Sequence, residues 1–133
     1  MKKINLACII EDDPTHVYIT KRIITLSGLV ESLLICPNGK DAFIKLKAII
    51  ENGKPLPELI LLDLNMPVWD GWQFLDAFKT INTNQKLHIY ILTSSNNDED
   101  RQRAEAYNIN SNYIVKPITL TKLKDVLTSI SEF

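Results

Sequence analysis

Short aliphatic runs alternate with longer helical patterns along this chain, and this alternation constrains the fold more than any other feature. The runs are Ile4–Ile10, Leu33–Cys36, Leu59–Leu62, His88–Leu92 and Tyr113–Val115. They are largely continuous instead of alternating apolar and polar residues, which is typical of strands buried on both faces of a parallel sheet.

The stretches between these runs carry apolar residues at helical spacing. Residues 38–52, 70–81 and 119–130 each have one apolar face, which predicts amphipathic helices packed on a sheet. Pro14 begins the first helical stretch and Pro117 stands just before the last, as is typical near helix starts. The order is five strand–helix units, which predicts a doubly wound α/β fold with a parallel sheet.

Residues 98–107 form the weakest of these helical patterns. Their apolar side chains are limited to Ala104, Ala106 and Tyr107. Because a helix with few buried contacts has low local stability, this element is the one most able to shift. A plain solvated helix is the alternative interpretation.

Composition limits the class of protein. The 133 residues, 45% of them hydrophobic, suit one globular domain over 1–133, and we expect no output domain. A net charge of -1 gives no electrostatic basis for binding nucleic acid or an anionic membrane. No apolar run approaches the roughly 20 residues of a membrane span. Cys8 and Cys36 lie in strand-like runs and are expected to be buried hydrophobes. We therefore expect a cytoplasmic protein.

Polar side chains follow four of the predicted strands at the points where the strands end. Because the carboxyl ends of parallel strands meet at one edge of a sheet, these side chains are expected to form one site. They are Glu11, Asp12 and Asp13 after the first strand, Asp63 and Asn65 after the third, Thr93, Ser94 and Ser95 after the fourth, and Lys116 after the fifth.

This set of side chains suits phosphoryl chemistry. Clustered carboxylates repel one another, and a hard cation such as Mg²⁺ relieves the repulsion. Asp63 would act as nucleophile, Lys116 and Mg²⁺ would neutralise the phosphoryl oxygens, and Thr93 would donate a hydrogen bond. No glycine-rich nucleotide-binding motif is present. Taken singly, the acids could be helix caps or turn residues and the lysine a solvated charge, but their joint placement favours a site.

Four motifs together resemble the response-regulator receiver domain of two-component signalling, across essentially the whole chain. They are IIEDD, LLDLNMPVWDG, ILTS and YIVKP, each at the end of a predicted strand. The chain is most similar in kind to the single-domain, chemotaxis-regulator-like receivers. The resemblance implies a flavodoxin-like fold with a five-stranded parallel sheet in the order 2-1-3-4-5, flanked by five helices.

The resemblance also implies a phosphoacceptor and its metal ligands. It makes Asp63 the phosphoacceptor and matches Glu11 and Asp12 to the acidic pair of the family. Asp12 would bind Mg²⁺ directly, Glu11 would act through water, and Asn65 would supply a backbone carbonyl. Asp13 is the extra acid, so the assignment of the pair is open by one residue.

The same resemblance implies a switch. Lys116 would contact a phosphoryl oxygen and precede a cis bond to Pro117. Thr93 would move toward the phosphoryl group, opening space into which Tyr113 turns inward. The downstream partner would then bind the face formed by residues 98–133.

The expected function is that of a single-domain switch or relay. A histidine kinase or phosphotransfer protein would donate the phosphoryl group, and the chain would catalyse only its own phosphorylation and dephosphorylation. Asn65 and Ser95 flank the path of an attacking water and are expected to tune hydrolysis. Two alternatives are an aspartyl-nucleophile phosphohydrolase, which usually needs an acid where Asn65 stands, and a receiver-like binding module that is not phosphorylated.

Overall fold

Strand and helix alternate along the chain in the computed structural model, which describes residues 3–81, 87–94, 98–107 and 112–131. The strands form one parallel sheet in the order β2-β1-β3-β4-β5, so the predicted doubly wound fold is confirmed. The elements are β1 (Ile4–Ile10), α1 (Pro14–Ser27), β2 (Val30–Cys36), α2 (Gly39–Glu51), β3 (Leu59–Leu62), α3 (Gly71–Phe78), β4 (His88–Thr93), α4 (Asp98–Glu105), β5 (Tyr113–Val115) and α5 (Leu120–Ser131).

The strand register aligns the ends that carry the polar residues. Ile10 at the end of β1 pairs with Leu62 at the end of β3, so the residues that follow them leave the sheet side by side. Thr93 at the end of β4 pairs with Val115 at the end of β5. Every residue of β3 is buried, because this central strand is covered on both faces.

Two apolar clusters cover the two faces of the sheet. One includes side chains of α2, α3 and α4, such as Leu46, Phe74 and Ala104. The other includes side chains of α1 and α5, such as Ile24 and Leu127. Cys8 and Cys36 are free and buried, as predicted.

Helix starts are defined by capping side chains. Asp13 caps α1 by accepting from the Thr15 N–H, and Pro14 follows in the first turn. Asn38 caps α2, and Asp70 caps α3 within a capping box. These caps place each helix directly after the strand-end loop that precedes it.

The structure corrects several predicted bounds. β2 begins at Val30, three residues before the predicted start at Leu33, because its polar residues lie exposed on an edge strand. The predicted helix 70–81 is α3, which covers Gly71–Phe78 because Asp70 is its N-cap and Lys79 its C-cap. The predicted helix 98–107 ends at Glu105. Within the described ranges, no helix has both the length and the apolar character needed to cross a membrane.

Candidate functional site

The carboxylates of Glu11 and Asp63 lie next to each other because their strands are neighbours. The Glu11 N–H donates to the Cys36 carbonyl, and the Asp63 N–H donates to the Ile10 carbonyl, each at 3.0 Å. These bonds extend the sheet ladder by one residue and hold both acids at its edge. Both are buried, with 3% and 5% of their surface exposed, respectively.

Three carboxylates converge at this edge. Glu11, Asp12 and Asp63 each offer an oxygen, and these oxygens lie within 4.8 Å of one another. The pKa of Glu11 is raised to about 7. Burial is the largest cause; Lys116 opposes it, and the neighbouring Asp63 carboxyl adds to it. A hard divalent cation would relieve both the desolvation and the repulsion, so these oxygen donors fit Mg²⁺.

Asp13 has a different role from the other two acids of the EDD run. Its Oδ1 accepts from the Thr15 N–H at 2.9 Å, and its Oδ2 lies 3.8 Å from His16 Nε2. Its own N–H donates to Glu11 Oε2 at 3.3 Å. Because its carboxylate caps α1, the geometry supports Glu11 and Asp12 as the acidic pair.

Lys116 enters the same site from the end of β5. Its N–H donates to the Thr93 carbonyl at 2.7 Å, and the Lys116–Pro117 peptide bond is cis. The ammonium nitrogen lies 2.5 Å from Glu11 Oε1 and 3.4 Å from Asp63 Oδ1. Among the described residues, Glu11 Oε1 has no hydrogen bond of normal geometry, and its charge is instead paired with the Lys116 ammonium.

Thr93 and Tyr113, the predicted switch pair, lie on neighbouring strands. Thr93 is fully buried at the end of β4, and Tyr113 begins β5, where it pairs with Ile91. The Tyr113 ring is buried, with 7% of the residue exposed, and its pKa is raised, chiefly by desolvation. The guanidinium of Arg101 lies 4.5 Å from the ring centroid. The Tyr113 ring is therefore shielded from solvent in this structure, as the resemblance expects of the switched state.

An open cleft of about 270 Å³ gives access to these groups. Asn65 is exposed at its rim, and its N–H donates to Asp63 Oδ1 at 3.4 Å. Ser95, the other residue predicted to tune hydrolysis, lies outside the described residues. The cleft is lined by Glu11, Asp12, Asp13, His16, Asp63, Asn65, Ser94 and Lys116.

Gly71 supports the loop of residues 63–70, which we call the acceptor loop because Asp63 is its predicted acceptor. The sequence did not predict this role. The Gly71 N–H donates to the Leu64 carbonyl at 3.0 Å. A Cβ at this position would lie 2.8 Å from the Asp63 carbonyl oxygen and 2.9 Å from Leu64 Cδ2. The loop that follows Asp63 therefore returns onto its own start only with glycine here. The signal in the sequence was a glycine directly after a helix-capping aspartate.

The family model for the response regulator receiver domain matches residues 7–128. The chain belongs to the response-regulator receiver family. Receiver domains are signalling modules of two-component systems, and their acidic pocket binds Mg²⁺. The three carboxylates described above form the acidic pocket of this receiver.

Individual proteins agree with this assignment. The receiver is 30% identical over 125 residues to a probable methanogenesis regulatory protein, FilR2, of Methanothrix harundinacea, covering 94% of this chain and 80% of that protein. It is 28% identical over 127 residues to the Synechocystis response regulator Rcp1, covering 94% and 85%. A two-component response regulator from Cytophaga hutchinsonii superposes with a TM-score of 0.85 at 28% identity, over 99% of this chain and 100% of that one.

Proposed function

We propose that this receiver accepts a phosphoryl group on Asp63 and thereby changes its contacts with a downstream protein. The observation that carries the proposal is the position of the Asp63 carboxylate. It lies within 4.8 Å of oxygens of Glu11 and Asp12, and its Oδ1 lies 3.4 Å from the Lys116 ammonium nitrogen. A carboxylate nucleophile beside further metal-ligating oxygens and a fixed ammonium suits phosphoryl transfer.

The chemical step uses groups of this chain. A carboxylate oxygen of Asp63 forms a bond to phosphorus while the bond from phosphorus to the donor's imidazole nitrogen breaks, and the imidazole leaves with that electron pair. Lys116 stabilises negative charge on the transferred group, and the Thr93 hydroxyl donates to one of its oxygens. The donor is a histidine kinase or a phosphotransfer protein.

Glu11, Asp12, Asp63 and the backbone carbonyl of Asn65 would hold Mg²⁺. When bound, the cation neutralises part of the charge on the phosphoryl oxygens. The cation would also offset the burial of Glu11, which is the main reason that the pKa of this carboxyl is raised in its absence. Asn65 and Ser95 are proposed to govern hydrolysis, in which water attacks phosphorus and the Asp63 carboxylate is released with inorganic phosphate.

The output is proposed to pass through the face formed by residues 98–133. Arg101 of α4 contacts the Tyr113 ring of β5, which supports a link between the site and this face. The chain is proposed to act as a single domain over residues 1–133 that catalyses only its own phosphorylation and dephosphorylation. Its cytoplasmic location stays a prediction.

Labelling with a small phosphodonor tests the proposal. Wild type, Asp63→Asn and the control Asp125→Asn, an exposed acid of α5, are incubated with acetyl phosphate and Mg²⁺, and intact mass is measured. Wild type and the control should each gain one phosphoryl group, Asp63→Asn should gain none, and EDTA should abolish labelling. Undiminished labelling of Asp63→Asn would remove Asp63 from the role.

A turnover assay, together with the labelling result, separates the two alternatives. A phosphohydrolase would turn over a generic phosphate ester such as p-nitrophenyl phosphate repeatedly, and Asp63→Asn would stop that turnover. A receiver-like binding module would remain unlabelled under all conditions.

A further inference from the structure

The helix α4 packs weakly through its apolar side chains. Of its eight residues, all described, Ala104 alone is buried. Arg101 and Arg103 are two positions apart, about 200° around a helix, so they extend toward different neighbours. Arg101 contacts the Tyr113 ring of β5, with 4.5 Å between guanidinium and centroid, whereas Arg103 reaches toward α3.

On the α3 side, α4 is held by a cluster of aromatic and charged side chains that we call the Trp72–Tyr107 clasp. The Trp72 and Tyr107 rings stack with 5.8 Å between centroids and 26° between planes. The Arg103 guanidinium lies 4.7 Å from the Trp72 ring centroid, and Lys79 Nζ lies 5.4 Å from the Tyr107 centroid. The Tyr107 hydroxyl donates to Asp76 Oδ1, a bond that raises the pKa of Tyr107.

The clasp is fixed to α4 at one end and to the acceptor loop at the other. The Tyr107 N–H donates to the Ala104 carbonyl at 3.0 Å, so the Tyr107 ring moves with the end of α4. Trp72, only 6% exposed, directly follows Gly71, whose backbone packs against Asp63. Stacked rings and cations over ring faces are directional contacts, so the clasp sets where α4 lies relative to α3.

The position of α4 determines whether Arg101 reaches the Tyr113 ring. We propose that the Trp72–Tyr107 clasp holds α4 where the Tyr113 ring stays buried in the unphosphorylated receiver. It thereby lowers the amount of ligand at Asp63 needed to complete the switch. The effect on ligand binding rests on the proposed function of Asp63, whereas the burial of Tyr113 concerns the unmodified chain alone. A ligand at Asp63 that binds better when Tyr113 is buried shifts the receiver toward that state. By the same linkage, a clasp that already favours buried Tyr113 makes the ligand bind more tightly.

The burial of Tyr113 is measured directly in the unmodified receiver. Fluorotyrosine is introduced at Tyr113, and the ¹⁹F resonance is recorded with and without a soluble paramagnetic agent. Tyr107→Leu removes the stack and the hydroxyl, Tyr107→Phe removes only the hydroxyl, and Tyr18→Leu is a control at an exposed tyrosine of α1. The resonance should be shielded in wild type and control, partly exposed in Tyr107→Phe, and most exposed in Tyr107→Leu.

The link to the switch is measured by titrating beryllofluoride, which stands in for the phosphoryl group, in the presence of Mg²⁺. The apparent dissociation constant should rise several-fold in Tyr107→Leu, less in Tyr107→Phe, and not in Tyr18→Leu. If Tyr107→Leu does not fold, Arg103→Ala, which removes one contact of the clasp, replaces it in both measurements.

The two measurements distinguish failure of the clasp proposal from failure of the proposed function of Asp63. A Tyr113 resonance that stays equally shielded in the folded clasp variants would overturn the proposal, even if Asp63 is phosphorylated. Exposure of Tyr113 in the Tyr18→Leu control would overturn it as well. If beryllofluoride binds to no variant while Tyr113 responds as expected, the clasp stands and the proposed function of Asp63 fails.

Discussion

The carboxylate of Glu11 and the ammonium of Lys116 form a buried ion pair, with 2.5 Å between Oε1 and Nζ. The same ammonium is farther from Asp63, at 3.4 Å. Without a metal, the Lys116 ammonium therefore neutralises Glu11, a charge that Mg²⁺ would neutralise when bound. We expect Lys116 to exchange Glu11 for the phosphoryl group when the site is loaded.

Replacing Lys116 should affect cation and phosphoryl binding in opposite directions. In Lys116→Met, the ammonium no longer competes for Glu11. In alkaline buffer, where the proton does not compete either, Mg²⁺ should bind about tenfold more tightly, equivalent to about 1.4 kcal/mol. Beryllofluoride should bind more weakly, because the cation facing it is gone. Both affinities can be followed by tryptophan fluorescence, since Trp69 is part of the acceptor loop and Trp72 directly follows Gly71.

The control for this variant is Lys122→Met, at an exposed lysine of α5. It should leave both affinities at their wild-type values. A weaker Mg²⁺ affinity in Lys116→Met would contradict the competition between the ammonium and the cation.

Stability should depend on pH through Glu11. Its pKa in the folded, metal-free chain is raised from 4.5 to about 7, so the folded state holds more protons than the unfolded state between these values. The free energy of unfolding should therefore decrease as pH rises through this window, by at most about 1.4 kcal/mol per pH unit. Urea unfolding across the window measures the slope, and Glu11→Gln should flatten it.

Mg²⁺ affinity should change with the opposite sign over the same range. Since the cation competes with the proton on Glu11, its affinity should increase as pH rises toward and past about 7. Titration at several pH values measures this increase. An affinity that does not change with pH in wild type would show that Glu11 stays ionised without the metal.

Asp12 and Asp13 should separate metal binding from helix capping. Asp13→Ala removes the cap of α1 and should lower the free energy of unfolding by about 1 kcal/mol while changing Mg²⁺ affinity little. Asp12→Asn removes an exposed ligand and should weaken Mg²⁺ binding without a comparable loss of stability. The reverse pattern would assign the metal ligand to Asp13.

Gly71→Ala should disturb the acceptor loop. The new Cβ would meet the Asp63 carbonyl at 2.8 Å, and we expect a loss of about 2–3 kcal/mol together with slower labelling of Asp63. Gly53→Ala is the matched control, because Gly53 has a positive φ of 66° but no atom within 4 Å of an added Cβ. The control should lose only about 1 kcal/mol from backbone strain and keep the wild-type labelling rate. Equal labelling rates in both variants would refute the support role of Gly71.

Much of the fold followed from local patterns. The continuous run Leu59–Leu62 predicted a strand buried on both faces, and its observed bounds are the same. β2 was predicted too short because Glu31 and Ser32 are polar. The spacing of apolar residues does not identify a strand whose polar residues are exposed at the edge of a sheet. The parallel arrangement of the strands predicted correctly that the polar residues at their carboxyl ends lie along one edge of the sheet.

The site was less predictable where neighbouring residues share a chemical type. Three consecutive acids, Glu11, Asp12 and Asp13, have the same ligand chemistry, and only the start of α1 shows that the third is a cap. Contacts between residues far apart in the chain, such as the stack of Trp72 on Tyr107, have no signature in spacing. Trp69 has a left-handed φ of 55°, its carbonyl accepts from the Gly39 N–H, and its ring lies 5.6 Å from that of Phe43; the local sequence predicts none of these features.

The most direct test of the central claim is to locate the acyl phosphate itself. Borohydride reduces an acyl phosphate to an alcohol, so a phosphorylated Asp63 becomes homoserine, which peptide mass spectrometry assigns to one position. After treatment with acetyl phosphate and Mg²⁺, we predict homoserine at position 63 in wild type and none when Mg²⁺ is removed. Reduction at another acid, or phosphate incorporation without any reduced residue at position 63, would contradict the account.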